Sequence, residues 1–305
     1  MSWDPFQVRV PASTSNLGPG FDTLSAALSL YLTIGVEPIE GVGVEWPPDW
    51  SLPLEENVLD RSLRTALSNL GAGLPGIRLS IGNPIPLTRG LGSSGAAIIA
   101  GIKIAEQITG ERFSDGDALR IAFPLEGHPD NLAASLLGGW VLSWTSGSRV
   151  HSLRLRSALR CRFVVAVPDQ AISTPEARSI LPRSYDLATA VFNIQRASLL
   201  VHALHTGEAR LLREATLDRI HQSYRASLVP GLDEVLAGPP PESDWSASLL
   251  GTFISGSGST VIALVAGREA EVGAWMVRTL AAAGTRARFR VLDLDTQGAR
   301  VEKSG

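Results

Sequence analysis

The sequence of 305 residues holds one cysteine, Cys161. A lone thiol cannot staple the chain to itself, which excludes a disulfide scaffold and fits a reducing, cytoplasmic setting. Cys161 lies in RCRFVVAV, beside a strand-like run, and reads as a core or spacer residue. The histidines (His128, His151, His202, His205 and His221) have neither companion cysteines nor an HExxH pattern, so no zinc site is expected. No basic block is present. The 27 Lys and Arg and the 30 Asp and Glu are scattered, which argues against nucleic acid as a main partner. No run reaches the roughly 18 apolar residues of a membrane span. The opening MSWDPFQVRVP lacks the apolar core of a secretory signal. GK[ST] is also missing, which removes the Walker A loop.

The remaining composition, 44% hydrophobic and 19% charged, is that of a globular chain with one large domain or two medium ones. The pattern is mixed α and β, without the regular spacing of a βαβ array and without repeats. QVRVPAS reads as a strand broken at Pro11, and 24–37 as one long strand or two short ones. EENVLDRSLRTALSNLGAG reads as a helix stopped by glycine, and GIRLSIG as a strand. Helices are expected over about 94–108, from SDGDALRIAF, and in HPDNLAASLLGG. GGWVLSWTS and RFVVAVP read as strands, and 185–217 as helical. SLLGTFISGSGSTVIALVAG reads as strand, glycine turn, strand. EAEVGAWMVRTLAAAG reads as a helix and ARFRVLDLD as the closing strand. Loops are expected near 46–54 and at GPPPESD (238–244). TSGSRVHS, within 145–160, marks the expected domain boundary, giving units of 1–155 and 156–305.

The stretch RGLGSSGAA (89–97) sets glycines against the start of a helix. Unpaired backbone N–H groups and the positive end of the helix dipole make such a turn a phosphate site. Gly90, Gly92 and Gly95 satisfy GxGxxG formally. A dinucleotide fingerprint follows directly from a strand, however, and here the proline-marked NPIPLTR intervenes. Proline, short spacer, then GLGSS and small residues is a different pattern, and Pro86-Leu87-Thr88-Arg89-Gly90-Leu91-Gly92-Ser93-Ser94-Gly95-Ala96 fits it.

That pattern resembles the GHMP kinases, and further segments resemble the homoserine kinases among them. These are VRVPASTSNLGPGFDTL (8–24), LEGHPDNLAASLLGG (125–139), STPEARSILP (173–182), YRASLVPG (224–231) and ISGSGSTVIAL (254–264), in family order over nearly the whole chain. The sequence departs at Ser15 and Ser25, where the family commonly carries Ala or Gly, and in SGSGST for a commoner SGAGPT. The resemblance implies an α+β, two-domain GHMP kinase fold. Its N-terminal domain would be like domain 2 of ribosomal protein S5, with a left-handed crossover, and its C-terminal domain ferredoxin-like. It implies transfer of the γ-phosphoryl group of ATP to the hydroxyl of L-homoserine, with Mg²⁺, towards threonine. The family is often dimeric, which makes a homodimer the implied assembly.

The resemblance also implies roles. Residues 86–96 would cradle the phosphates, with Gly256 and Gly258 closing over the nucleotide and Asn57 near the base. Ser94 and Glu126 would hold Mg²⁺, with Ser93 open in place of Ser94. Asp22 would take the substrate ammonium, and Asn16 the backbone end of homoserine. His128, Arg178 and Arg225 would surround the carboxylate. Asn131 would position the hydroxyl, Asp130 would be mainly structural or else the base, and Thr174 would touch the hydroxyl or a phosphate. Arg89 reads equally as a phosphate partner or a solvated loop residue. The competing readings are another GHMP kinase acting on mevalonate, a sugar or shikimate, and a non-catalytic sensor of the same fold.

Overall fold

The computed structural model describes residues 3–48, 57–147, 149–240 and 242–303; the part of the expected 46–54 loop at 49–54 lies outside them. In chain order the first part holds β1 (Phe6–Asn16), β2 (Gly20–Pro38), β3 (Gly43–Glu45), α1 (Val58–Asn69), β4 (Gly76–Gly82), α2 (Ser93–Thr109), α3 (Asp115–Glu126), α4 (Asp130–Leu137), β5 (Trp140–Ser146) and β6 (Arg149–Leu155). Next come β7 (Arg162–Pro168), α5 (Thr174–Ser179), α6 (Leu187–Thr206), α7 (Leu212–Ala215), α8 (Gln222–Ala226) and α9 (Leu232–Ala237). The chain then runs through β8 (Leu249–Ile254), β9 (Val261–Val265), α10 (Glu269–Ala282), β10 (Ala287–Leu292) and β11 (Arg300–Lys303).

Two sheets organise these elements. The first has the path β11-β1-β2-β4-β3, with β5 on β2 and β6 on β5. The second is antiparallel in the order β10-β7-β9-β8. Numbered within their own unit these four strands run 4-1-3-2, with helices after the first and third, which is the ferredoxin-like arrangement the resemblance implies. The first half of β1 alternates buried and half-buried residues, and its second half is buried on both faces. That is where the strand passes under α2 and α4 and meets the second unit. Ile98, Ile99, Ile102 and Ile104 of α2 are buried around much of its circumference, which suits a central helix.

The structure corrects several expectations. β1 does not break at Pro11. The β11 ladder ends at Arg9, and a register shift separates Pro11 from Ala12, so a residue without an N–H sits at a bulge. The expected boundary stretch TSGSRVHS lies largely in strands: β5 runs to Ser146 and β6 starts at Arg149, and the two pair from Trp140↔Leu155 to Ser146↔Arg149. β10 is not the closing strand, because β11 returns to pair with β1. STPEARS folds as α5 behind a Ser173 capping box with Glu176. Among the described residues α6 is long and apolar enough to cross a membrane by length and composition, with mean hydropathy 1.2. It nonetheless carries Asn193, which donates to Asp218 (2.6 Å), and Arg196, paired with Glu214. Leu200, Ala203 and Leu204 pack it against the protein.

Candidate active site

The β1–β2 turn supplies the first wall of the cleft. Asn16 (φ 71°), Leu17 (φ 47°) and Asp22 (φ 52°) all occupy the left-handed region. For non-glycine residues this is costly backbone, and it persists only where the surroundings hold it. Asn16 Oδ1 accepts from the Asp22 N–H (3.0 Å), and Asn16 Nδ2 donates to the Gly256 carbonyl (2.9 Å). His221 Nε2 lies 2.7 Å from the Gly18 carbonyl and fixes the tip. Arg178, in the last turn of α5, donates to Asp22 Oδ1 at 2.7 Å. Arg225 is buried behind it, donating to the carbonyls of Gly256 (2.8 Å) and Ala177 (3.2 Å). Both guanidiniums lie over the Phe21 ring, at 5.4 and 5.1 Å. Burial, reinforced by Arg178, lowers the Arg225 pKa to about 10, which leaves it a cation at neutral pH.

The second wall is backbone. Gly92 (φ 68°) caps α2 with no side-chain hydrogen bond, and the first intrahelical donor is the Ala96 N–H. The N–H groups of 93–95 are therefore free of intrahelical acceptors at the positive end of a 17-residue helix. Gly90 (φ 77°) is pressed onto the 255–258 loop: a Cβ there would lie 2.0 Å from the Ser255 carbonyl oxygen. Ser255 Oγ in turn donates to the Gly90 carbonyl (2.6 Å). Arg89 donates to the carbonyls of Leu87, Pro168 and Asp169. It thus ties the loop to β7, and its guanidinium is not left as a solvated group.

The floor carries Glu126, His128, Asp130 and Asn131. Ser94 Oγ donates to Glu126 Oε2 at 2.6 Å, whereas Ser93 Oγ accepts from Asn83 Nδ2 at 3.3 Å. The geometry separates the two serines and favours Ser94 as the partner of Glu126. Burial raises the Glu126 pKa, opposed by His128 and the Ser94 hydrogen bond. His128 stands 3.4 Å from Asp130 Oδ1 and 3.9 Å from Glu126 Oε1. Burial disfavours its imidazolium, yet Asp130, then Glu126 and Asp22, outweigh that and raise its pKa. Asp130 Oδ1 accepts from the Asn131 N–H (2.8 Å). The Asn131 amide accepts from Ser13 Oγ (3.0 Å) and donates to Ser15 Oγ (3.2 Å).

Asn16, Asp22, Pro86, Thr88–Ser94, Glu126, His128, Asp130, Asn131, Thr174, Arg178, Arg225 and Gly256 all line one cleft. Leu87, Gly95, Ala96, Asn57 and Gly258, also expected at the nucleotide, do not line it. Leu87 points outward, Ala96 is buried in the core, and Asn57 caps α1 by accepting from the Asp60 N–H (3.2 Å). Sequence reasoning missed His221, which braces both Gly18 and Arg225, and missed the part played by Ser13 and Ser15. Alternation along β1 sets those two serines on one face, a signal the sequence carried. Cys161 fits its reading as a packing residue, since burial pushes its thiol up to about 12.

Residues 57–139 match the GHMP kinases N terminal domain, which defines the class. The chain is 40% identical to a homoserine kinase of Desulfitobacterium hafniense, over 97% of this chain and 99% of that one. It is 36% identical to one of Persephonella marina, over 97% and 98%. A crystal structure of homoserine kinase from Cytophaga hutchinsonii superposes with a TM-score of 0.87 at 27% identity, covering 99% of this chain and 98% of that one. The chain belongs to the homoserine kinase family of the GHMP kinases.

Proposed function

We propose that this chain transfers the γ-phosphoryl group of ATP to the side-chain hydroxyl of L-homoserine, giving ADP and O-phospho-L-homoserine for threonine synthesis. The observation that carries the substrate assignment is the Asp22–Arg178 pair facing the bare start of α2 across one cleft. A zwitterion can replace that pair: its ammonium takes the place of Arg178 on Asp22, and its carboxylate takes the place of Asp22 on Arg178. Arg225 adds a second positive charge, and Asn16 holds the turn that presents Asp22. A sugar or mevalonate would leave one or both charges unmatched.

The hydroxyl oxygen forms a bond to the γ-phosphorus as the bond from that phosphorus to the bridging oxygen of ADP breaks. The N–H groups of 93–95 and the glycines of 90–92 receive the phosphates. Asn131 orients the hydroxyl, with Thr174 beside it at the start of α5. Asp130 is a structural partner of His128 and the Asn131 N–H rather than a base. A loose transition state asks little early deprotonation, so the hydroxyl proton leaves late, to a phosphate oxygen or water.

The residues present fit Mg²⁺. Ser94 Oγ and Glu126 Oε2 are hard oxygens at the helix end, and the Glu126 carboxylate is largely buried. Among the described residues no three His, Cys, Asp or Glu side chains are grouped to hold an ion alone, so the remaining ligands would be phosphate oxygens and water. Bound there, the ion would neutralise charge on the β- and γ-phosphates.

The test is ADP release with ATP and Mg²⁺ over L-homoserine, D-homoserine, L-threonine, L-serine, mevalonate, galactose and shikimate. Turnover strongest with L-homoserine is expected. Turnover strongest with mevalonate or a sugar would overturn the substrate assignment, and nucleotide binding without turnover would favour a sensor.

A further inference from the structure

We infer that Ser13 and Ser15 are positioning residues for phosphoryl transfer, their hydroxyls locking the Asn131 amide in one orientation beneath the phosphate loop. This rests on the reading of Asn131 as the group that orients the acceptor hydroxyl.

Ser13 and Ser15 are two apart on β1, share a face, and are 0% and 2% exposed. A serine hydroxyl has one hydrogen to give, and Ser13 gives its own to Asn131 Oδ1 at 3.0 Å. Ser135 Oγ approaches Ser13 Oγ at 3.4 Å from the other side, while donating to the Pro11 carbonyl at 3.1 Å. Ser15 Oγ receives an Asn131 amide hydrogen at 3.2 Å. The row thus has a direction: Ser13 to the amide oxygen, and the amide nitrogen to Ser15, with the Ser135 hydrogen committed to the Pro11 carbonyl. Flipping the amide would turn a donor on Ser13, whose own hydrogen would then have only the longer contact to Ser135 Oγ, at 3.4 Å, in a place that water does not reach. Exchanging a 3.0 Å bond for a 3.4 Å one at a buried donor is unfavourable, so one flip state is held.

The same two residues set the amide against both glycine loops. The Ser13 N–H donates to the Leu91 carbonyl (3.2 Å), and the Gly256 N–H donates to the Ser15 carbonyl (3.2 Å). A Cβ on Gly92 would lie 2.0 Å from Ser13 Oγ and 3.2 Å from Asn131 Oδ1, so the loop rests directly on the row. After serving the serines, Asn131 keeps one amide hydrogen and one oxygen lone pair for the cleft it lines. A fixed amide presents these in one arrangement to the attacking oxygen. Neither serine hydroxyl bonds Asp22, Arg178 or Arg225, so affinity for the zwitterion does not depend on the row.

The experiment is steady-state kinetics of the full chain as Ser13→Ala and Ser15→Ala, each alone and combined with Asn131→Ala. kcat and both KM values are read. Each serine variant is expected to lose about tenfold in kcat with both KM values within about twofold, since a misplaced orienting group costs mainly at the transition state. In the Asn131→Ala background the same substitutions should change kcat by less than about twofold, the non-additivity of groups acting as one unit. If Ser13→Ala does not fold, Ser15→Ala carries the comparison. Wild-type kcat in the soluble serine variants, or an undiminished tenfold loss in the Asn131→Ala background, would overturn the lock while leaving Asn131 its role. Wild-type kcat in Asn131→Ala itself would remove that role, and the lock with it.

Discussion

On the proposed phosphate side of the cleft the groups offered to an anion are the backbone N–H groups of residues 93–95. On the proposed substrate side the charged groups are the side chains of Asp22, Arg178 and Arg225. The first set is fixed by helix geometry and by glycines that leave no room for a side chain. The second waits in an ion pair of its own, Arg178 on Asp22 at 2.7 Å, with side chains 38% and 36% exposed. Its Coulomb energy is therefore screened, and the pair itself adds little stability. In the proposed reading it keeps both charges matched until a molecule bearing both opposite charges arrives. A backbone site can be rigid because every nucleotide brings the same phosphates, whereas a side-chain site selects by what it takes to replace an existing partner.

Breaking the phosphate side should have the largest effect. Gly90→Ala puts a Cβ 2.0 Å from the Ser255 carbonyl, at a φ of 77°, so the loop must leave the 255–258 segment. We expect kcat/KM for ATP to fall by at least about 100-fold, measured by ADP release, with strain of this kind costing on the order of 1–3 kcal/mol before any contact is lost. Arg178→Met should break the substrate side alone: KM for L-homoserine rises about 10- to 100-fold, as for a lost charged hydrogen bond, with KM for ATP within about twofold. Equal changes in both constants would erase the distinction between the walls.

A smaller effect sharpens the boundary between them. Glu126→Gln keeps the Ser94 contact geometry and removes the charge. The Mg²⁺ concentration for half-maximal activity should rise about tenfold. Because burial raises the Glu126 pKa, the charged side chain costs stability above its ordinary range, so the same variant should melt higher at neutral pH. The smallest effect concerns His221, which Asp218 (3.8 Å), Arg225 (3.4 Å) and the Gly18 carbonyl surround. Burial lowers its pKa below 6.5. The unfolded chain then binds the proton first, so stability is full above about pH 6.5 and falls as pH drops, by up to about 1.4 kcal/mol per pH unit. Melting curves between pH 7.5 and 5.5 should show a shallower acid slope for His221→Gln than for the wild type.

The same contrast explains how much could be read in advance. The glycine turn and the start of α2 were legible because the pattern is local: glycine, serine and a helix start, consecutive in sequence. Most helices and strands were legible for the same reason. β3, β6 and β11 were not, since short strands gain their identity from partners, and β11 finds β1 across almost the whole chain. The substrate side joins Asp22, His128, Arg178 and Arg225 from four segments, and only the resemblance to a family brought them together. His221 escaped because one buried histidine has no spacing signal. Asn57, expected at the nucleotide because of its motif, caps α1 through its amide oxygen, and its Nδ2 is buried without a hydrogen-bond partner.

The most direct measurement compares turnover of L-homoserine with that of 4-hydroxybutanoate, which lacks the ammonium, and 3-aminopropan-1-ol, which lacks the carboxylate. All three carry a primary hydroxyl. The account predicts that each singly charged compound loses at least about 100-fold in kcat/KM, because each leaves Asp22 or Arg178 without a partner. Use of either compound at a rate near that of L-homoserine would contradict it.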